Sequence, residues 1–307
     1  MNTDKTIGLA LGGGGARGIA HIVVLEVFDE LGLKPAAISG TSIGAIMGAA
    51  YACGMSGREI RERAVDFYSQ RRAVLAKLWR ARPVQFADLI RGRFLQTQFD
   101  PEVVLDSFVP GVENLPETFD GLKIPLKVIA CDFYGWSETV LDTGPLKPAI
   151  AASIAIPSVF KPVPVHGRMQ IDGGAFNPLP YDHVSEHDLV VASDVAGGPI
   201  GEPDHYPSLL EVVVGAAQVS MQAIMSEKMK WHQPDILVQP DTNGVFVLDF
   251  FKTKQILENN EHVKDDFKRR LALAMEAEDL FDRDPAERAR ITEHRHPATN
   301  GVQQRSL

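Results

Sequence analysis

The sequence predicts an α/β fold on a mostly parallel central sheet, and three observations predict it. Short apolar runs alternate with longer helix-compatible ones along the chain, the pattern of parallel strands with covering helices. Two of those runs end in glycine-bearing turns that open straight into helices, Gly12-Gly13-Gly14-Gly15-Ala16-Arg17-Gly18 and Gly40-Thr41-Ser42-Ile43-Gly44. The longest apolar stretch, Leu209 to Met225, carries Glu211, Gln218 and Gln222, which suits a mostly buried helix and not a membrane span.

In order, Thr6-Ile7-Gly8-Leu9-Ala10-Leu11 alternates as a strand, and a helix is expected over 18–31. A brief strand at 36–40 feeds a small-residue helix at 43–53. A helix-rich insertion covers about 56–108. Strands follow at 124–131 and 137–142, then an Ala-rich helical segment at 146–154. Further strands are expected near 163–166 and 169–172, and at 188–195. A long helix at about 208–230, a strand at 235–239 and a charged helix at about 252–279 complete the set. Residues after Pro285 are polar and rich in Arg, Glu and His, the composition of a mobile tail.

The G-x-S-x-G around Ser42 reads as a nucleophile elbow because a strand precedes it and a helix follows. Gly40 and Gly44 permit the sharp turn and close helix–strand packing, leaving the Ser42 hydroxyl at the helix N-terminus.

The earlier glycine run offers converging backbone N–H groups to an anion. A nucleotide phosphate and the oxyanion of an acyl transfer both qualify. Gly13-Gly14-Gly15-Ala16-Arg17-Gly18 satisfies G-x-G-x-x-G, but a dinucleotide site wants an acid at the end of the second strand. That strand ends in Ser39-Gly40. A P-loop wants Lys then Ser or Thr after its last glycine, whereas Ile19-Ala20 follows Gly18. The oxyanion reading is favoured, since the next strand carries a nucleophile elbow.

A third element is Asp172 in Ile171-Asp172-Gly173-Gly174, an acid at a strand end before two glycines. Asp-Gly-Gly alone is an ordinary turn sequence.

The three motifs in this order resemble the patatin-like phospholipase family. Asp142-Thr143-Gly144-Pro145-Leu146, the run Ala151 to Phe160, Pro234 to Asp241 and Leu248-Asp249-Phe250 agree with it, so the likeness spans roughly residues 5 to 280. It is nearest to bacterial members similar to the neuropathy-target-esterase catalytic domain. The resemblance implies a patatin-like three-layer α/β/α sandwich and a Ser-Asp dyad. Ser42 would be nucleophile and Asp172 general base, with the N–H groups of Gly13, Gly14 and Gly15 as oxyanion hole. Arg17, Gly18, Gly40, Gly44, Gly173 and Gly174 would support the motifs. It implies a core over 8–186, strands and helices of 187–284 completing the same domain, and a flexible 285–307. The implied activity is hydrolysis of lipid carboxylic esters, phospholipid or lysophospholipid, without a cofactor. A patatin fold used as a binding or regulatory module is the alternative.

A triad would need a histidine. His183, His187, His205 and His232 lie after the serine, and Ser42, Asp172, His205 fits the α/β-hydrolase order formally. His205 sits in the polar Gly201-Glu202-Pro203-Asp204-His205-Tyr206-Pro207, which reads as a surface loop. His183-Val184-Ser185-Glu186-His187 matches H-x-x-E-H, a zinc pattern, but prolines before it and a strand after it leave too little helix for a ligand platform. No metal is expected. Arg17 reads as an ion pair or carbonyl contact ordering the glycine loop, or else as a contact to a lipid phosphate. Asn177 is expected to tie down the loop after Asp172.

The length could suggest two domains, but the candidate catalytic elements are spread from Gly12 to Gly174 and so must share one sheet. The chain has 307 residues, 45% apolar and 23% charged, and a net charge of −9, against the basic footprint of a nucleic-acid binder. Cys53 and Cys131 lack metal-ligand spacing and read as free core thiols. No secretory signal is visible, so a cytoplasmic location is expected, with peripheral contact at the inner membrane face as an option. That option comes from the insertion. Between Arg58 and Arg93 ten Lys or Arg face four acids, locally +6, which leaves −15 on the rest of the chain. Val74, Leu75, Leu78 and Trp79 share a helical face flanked by Arg71, Arg72, Lys77, Arg80 and Arg82. Packing on the core, a surface that meets anionic lipid, and a protein contact are the three readings.

Overall fold

The strands β1 (Ile7–Leu11), β2 (Ala37–Thr41) and β7 (Leu189–Ser193) are buried at every residue. That is why they are continuous apolar or small-residue runs and not alternating ones. With β3 (Leu126–Asp132), β4 (Ser137–Leu141), β5 (Val163–Val165), β6 (Arg168–Asp172) and β8 (Ile236–Val238) they form one sheet in the order β5-β6-β3-β2-β1-β7-β8, with β4 also on β3. The pairs β1–β2, β1–β7, β2–β3 and β7–β8 are parallel, and β3–β4, β3–β6 and β5–β6 are antiparallel. This computed structural model describes residues 5–72, 74, 98–201, 204 and 206–276.

The helices of the described residues are α1 (His21–Glu30), α2 (Ile43–Ala52), α3 (Gly57–Ser69), α4 (Pro101–Phe108), α5 (Leu146–Ser153), α6 (Leu209–Trp231), α7 (Thr253–Asn259) and α8 (Glu261–Glu276). Successive β1 side chains point to opposite faces. Leu9 and Leu11 join a large core with Ile22, Leu25 and Phe28 of α1 and Phe267 and Leu271 of α8. Ala10 faces a second core with Tyr181, Val184 and Met225 of α6. Helices therefore cover both faces, giving three layers. Glu26 of α1 draws α3 and α8 onto it, accepting two bonds from Arg61 at 2.6 and 2.7 Å and one from Lys264 at 3.1 Å.

Two elements differ from expectation. The helix at 18–31 begins as a 3-10 helix over Gly15–Ala20 and becomes α-helical at His21. The charged helix at 252–279 is two helices, parted at buried Asn260. The Asn260 side chain accepts from Asp241 N at 2.6 Å and donates to Asp241 O at 3.0 Å and Ile256 O at 2.8 Å. A side chain that bonds backbone groups in this way competes with the helix ladder.

In the insertion, Arg58, Arg61 and Arg63 pair with Glu62, Glu26 and Glu113, and Arg71 lies over the Phe251 ring. Leu75, Lys77, Leu78, Trp79, Arg80 and Arg82 lie outside the described residues, as do His205 and 277–307. Cys53 and Cys131 are free thiols. Among the described residues no helix is long and apolar enough to cross a membrane.

Candidate active site

One edge of β3 carries two strands end to end. Residues Leu126 to Ile129 pair with β2, placing Thr41 opposite Ile129. Ala130 to Asp132 pair with β6, placing Asp172 opposite Ala130, while β4 takes the other edge. The chain leaves β2 at Ser42 where β6 arrives at Asp172. The result is a 2.7 Å hydrogen bond from Ser42 Oγ to Asp172 Oδ2.

Ser42 sits between β2 and α2 with φ 54° and ψ −121°, a left-handed conformation that strains a non-glycine residue by about 1–3 kcal/mol. Two glycines make the turn possible. A Cβ on Gly44 would lie 2.0 Å from the Leu11 carbonyl oxygen, and one on Gly40 2.6 Å from that of Gly44. The Ser42 N–H donates to Ser153 Oγ at 2.8 Å, and the Ser153 hydroxyl donates to Ile129 O at 2.6 Å. The first N–H groups of α2 have no intrahelical acceptors, so the positive end of its dipole lies at Ser42.

Asp172 ends β6 and caps a 3-10 turn over Gly173–Ala175, accepting from Gly174 N at 2.8 Å through Oδ1. Burial pushes its carboxyl up to about 6, against the hydrogen bonds from Ser42 and Gly174 that lower it. A carboxylate so raised is better matched to taking a hydroxyl proton near neutral pH than an ordinary one. Gly173 is required by packing, since a Cβ there would meet the Ile129 carbonyl at 2.2 Å.

The glycine loop passes beside this pair, and here one expectation is corrected. The Gly13 N–H donates to Pro178 O at 2.9 Å, so it is engaged and not free for an anion. Among the described residues no acceptor takes the N–H of Gly14 or Gly15, and both residues line a cavity of about 310 Å³ with Ser42, Asp172 and Gly174. A second, apolar cavity of about 240 Å³ also reaches Ser42, with Ile43, Met47, Leu105, Ile150 and Ile154 among its walls. The candidate nucleophile thus stands where the two spaces meet. Gly18 packs on α2, where a Cβ would strike Ile43.

Arg17 is buried and donates to Val245 O at 2.8 Å and Gly198 O at 3.0 Å. Burial lowers its guanidinium pKa, with Asp249 acting the other way. It ties the glycine loop to two neighbouring loops by carbonyl contacts. Asn177 holds the loop after Asp172, donating to Glu138 at 2.7 Å and Asp182 at 3.0 Å.

The H-x-x-E-H histidines are not presented by one α-helix, because a 3-10 turn over Tyr181–Val184 ends before His187. Glu138, Asp182 and His183 do bring ligand-type atoms within 4.8 Å of one another. The Lys228 ammonium already lies among them, bonded to Asp182, Asn177 Oδ1 and Leu179 O. His232 packs against Tyr181, and its carbonyl accepts the Tyr181 hydroxyl. Among the described residues His21 bonds to the glycine loop at the Gly12 carbonyl, and the sequence pattern does not single it out. Its only signal is one imidazole in the apolar run Ile19 to Leu25. Ser153 was legible only as a hydroxyl among alanines.

The family model for patatin-like phospholipase matches residues 9–184, which covers the end of β1, the glycine loop, the Ser42 elbow and Asp172. The chain belongs to the patatin-like phospholipase family. Its likeness to neuropathy-target-esterase relatives also holds. An uncharacterized NTE family protein of Mycobacterium tuberculosis is 34% identical over 202 residues, 65% of this chain and 52% of that protein. Neuropathy target esterase of Drosophila melanogaster is 30% identical over 199 residues, 63% of this chain and 13% of that one. Human patatin-like phospholipase domain-containing protein 6 is 30% identical over 182 residues, 59% and 12% respectively. The chain therefore matches about half the length of the mycobacterial relatives and a much smaller part of the animal ones. Among solved structures, VipD of Legionella pneumophila aligns at TM-score 0.43 and 15% identity over 85% of this chain and 67% of that one. Human GIVD cytosolic phospholipase A2 aligns at 0.42 and 11%, covering 88% and 60%.

Proposed function

We propose that this patatin-like chain is a serine hydrolase of lipid carboxylic esters, phospholipid or lysophospholipid. The observation that carries the reading is the 2.7 Å bond between Ser42 Oγ and Asp172 Oδ2, at the point where an apolar cavity reaches the same serine. Family membership supports ester hydrolysis, and the apolar walls support an acyl chain as the buried part of the substrate.

In this mechanism Asp172 takes the proton of Ser42 as its oxygen attacks the ester carbonyl. The oxyanion that forms is held by the N–H groups of Gly14 and Gly15. Asp172 returns the proton to the leaving alcohol, and the acyl group stays on Ser42. Water then attacks the acyl-enzyme with Asp172 as base, releasing the fatty acid and restoring the serine. The hydrogen bond from Gly174 keeps the Asp172 carboxylate turned toward Ser42 through both steps.

The test is fluorophosphonate labelling of Ser42 beside lipid-class profiling of wild type and Ser42→Ala. Labelling at Ser42 and hydrolysis lost in Ser42→Ala are expected. An unlabelled serine with no turnover would favour a binding or regulatory module, and undiminished hydrolysis by Ser42→Ala would remove the dyad altogether.

Contact of the 58–93 insertion with anionic lipid is carried as part of the proposal, supported by its local charge of +6. Arg58, Arg61 and Arg63 are held in ion pairs, so the contact falls to cations from Arg71 onward. Activity on anionic vesicles should then decline with salt, while turnover of a short soluble ester stays level. Equal salt effects on both would leave the insertion as packing.

A further inference from the structure

We infer that His21 is a positioning residue for the glycine loop, fixing the peptide plane between Gly12 and Gly13 so that the following N–H groups meet the ester oxyanion. This rests on the acyl-hydrolase reading above.

The geometry is a closed bracket behind the loop. His21 is fully buried at the start of α1. Its Nε2 lies 2.9 Å from Gly12 O, and its Nδ1 lies 2.8 Å from Ser193 Oγ. A carbonyl oxygen only accepts, so Nε2 must carry the proton. Burial lowers the imidazole to about 4, so the ring is neutral and Nδ1 is an acceptor for the Ser193 hydroxyl. Ser193 also grips the loop through its backbone, where its carbonyl accepts the Gly12 N–H at 3.0 Å.

The peptide plane after Gly12 is thus held at both ends, its C=O by His21 and its Gly13 N–H by Pro178 O. Gly14 follows with φ 174°, and Gly15 with φ 60°. The planes that carry the Gly14 and Gly15 N–H groups are built onto this clamped plane through the backbone angles of Gly13 and Gly14. The Val195 and Val247 carbonyls crowd Gly14 and Gly15 from outside, so the direction of both N–H groups starts from the clamp. Loss of the His21 bond releases one end of that plane. An oxyanion hole gains its effect from preorganised donors, so the damage should fall on kcat and spare ground-state binding.

The experiment compares His21→Gln, His21→Asn and His21→Met with wild type on p-nitrophenyl butyrate, with Ser42→Ala alongside. The Gln amide nitrogen lies as many bonds from Cβ as His Nε2 and can reach the Gly12 carbonyl. The Asn nitrogen matches Nδ1 and cannot. The expected result is kcat lowered about 10- to 100-fold in Asn and Met, KM within about twofold, and Gln recovering most of the loss. Affinity for an alkyl boronic acid, which forms a tetrahedral adduct on the serine, should fall in step with kcat. A purely structural histidine predicts the reverse order, with apolar Met tolerated better than Gln. That order, or kcat within about threefold of wild type in folded Asn and Met variants, overturns the assignment. Should the His21 variants fail to fold, Ser193→Ala decides the matter. It removes the hydroxyl bonded to Nδ1, which steadies the ring whose Nε2 holds the Gly12 carbonyl, and wild-type kcat in that variant would also overturn the assignment. Residual hydrolysis in Ser42→Ala would instead sink the parent reading, whatever the His21 variants do.

Discussion

Ser153 holds Ser42 from the α5 side, accepting its N–H at 2.8 Å while its own hydroxyl donates to the Ile129 carbonyl at 2.6 Å. Both bonds are buried, and they tie the strained elbow to β3. The residue belongs to none of the three motifs, yet it fixes the backbone of the one that carries the candidate nucleophile.

Ser153→Ala should therefore destabilise the protein by about 1–3 kcal/mol, because it leaves a buried donor and a buried acceptor unpaired. Ester turnover should drop as well, since the elbow loses its anchor. Thermal unfolding and kcat measured on the same preparation check this. Unchanged melting would show that water replaces the hydroxyl.

On the proposed mechanism Ser42→Ala and Asp172→Asn should each abolish ester hydrolysis, and the double variant should be no worse than either alone, because that mechanism has the two groups act as a unit. Multiplicative losses would mean that they contribute separately.

The Asp172 carboxyl at about 6 fixes two pH dependences. The proposed mechanism needs Asp172 ionised, so kcat/KM should fall as pH drops through about 6. For stability the sign is opposite. The folded state holds this proton more tightly than the unfolded chain, so between about 4 and 6 folding takes up a proton and stability declines as pH rises. At pH 7 the buried charge is a burden of about 3 kcal/mol on the usual conversion. Asp172→Asn should thus melt higher than wild type at pH 7, with the gap closing toward pH 4. A gap independent of pH would show that the carboxyl is not raised.

The glycines of the two turns should separate by the space around them. Gly44→Ala places a Cβ 2.0 Å from a backbone oxygen, and Gly14→Ala places one 2.5 Å from the Val195 carbonyl, so both should fold poorly. At Gly13 the nearest atoms are 3.4 Å away, and its N–H is already bonded to Pro178. Gly13→Ala should fold with near wild-type melting. Severe unfolding of that variant would mean that the loop moves to a different position.

Filling the apolar cavity should change chain-length preference. Ala50 lies in its wall, and Ala50→Phe should depress kcat/KM for long acyl esters at least tenfold, roughly the range that pocket occupancy commands, while acetyl esters are spared. Equal effects across chain lengths would place the acyl chain elsewhere.

The two glycine turns and Asp172 were legible in the sequence because each is a local pattern in which backbone sterics dictate the residue type. The alternation that predicts the sheet is likewise local, so most strands fall within one or two residues of expectation. What the sequence could not convey is pairing between distant segments. The Gly13 N–H is taken by Pro178, 165 positions away, and this removes one of three expected donors. Asn260 ends a helix through bonds to Asp241, and nothing in the charged run Lys252 to Glu276 announces that partner. Nothing in the apolar run Ile19 to Leu25 announces that His21 meets Gly12 and, 172 positions away, Ser193.

The shared edge of β3 has a consequence for how this chain tolerates change. Ser42 and Asp172 are 130 positions apart, but their separation is set by consecutive residues of one strand, Ile129 and Ala130. Segments between β2 and β3, or between β4 and β6, can lengthen or shorten without altering that spacing. One extra residue within β3 at this point, by contrast, would move the two side chains apart by about 3.4 Å and reverse the facing of every residue beyond it. β3 works as a caliper: the candidate pair hangs on a strand that supplies neither of its side chains.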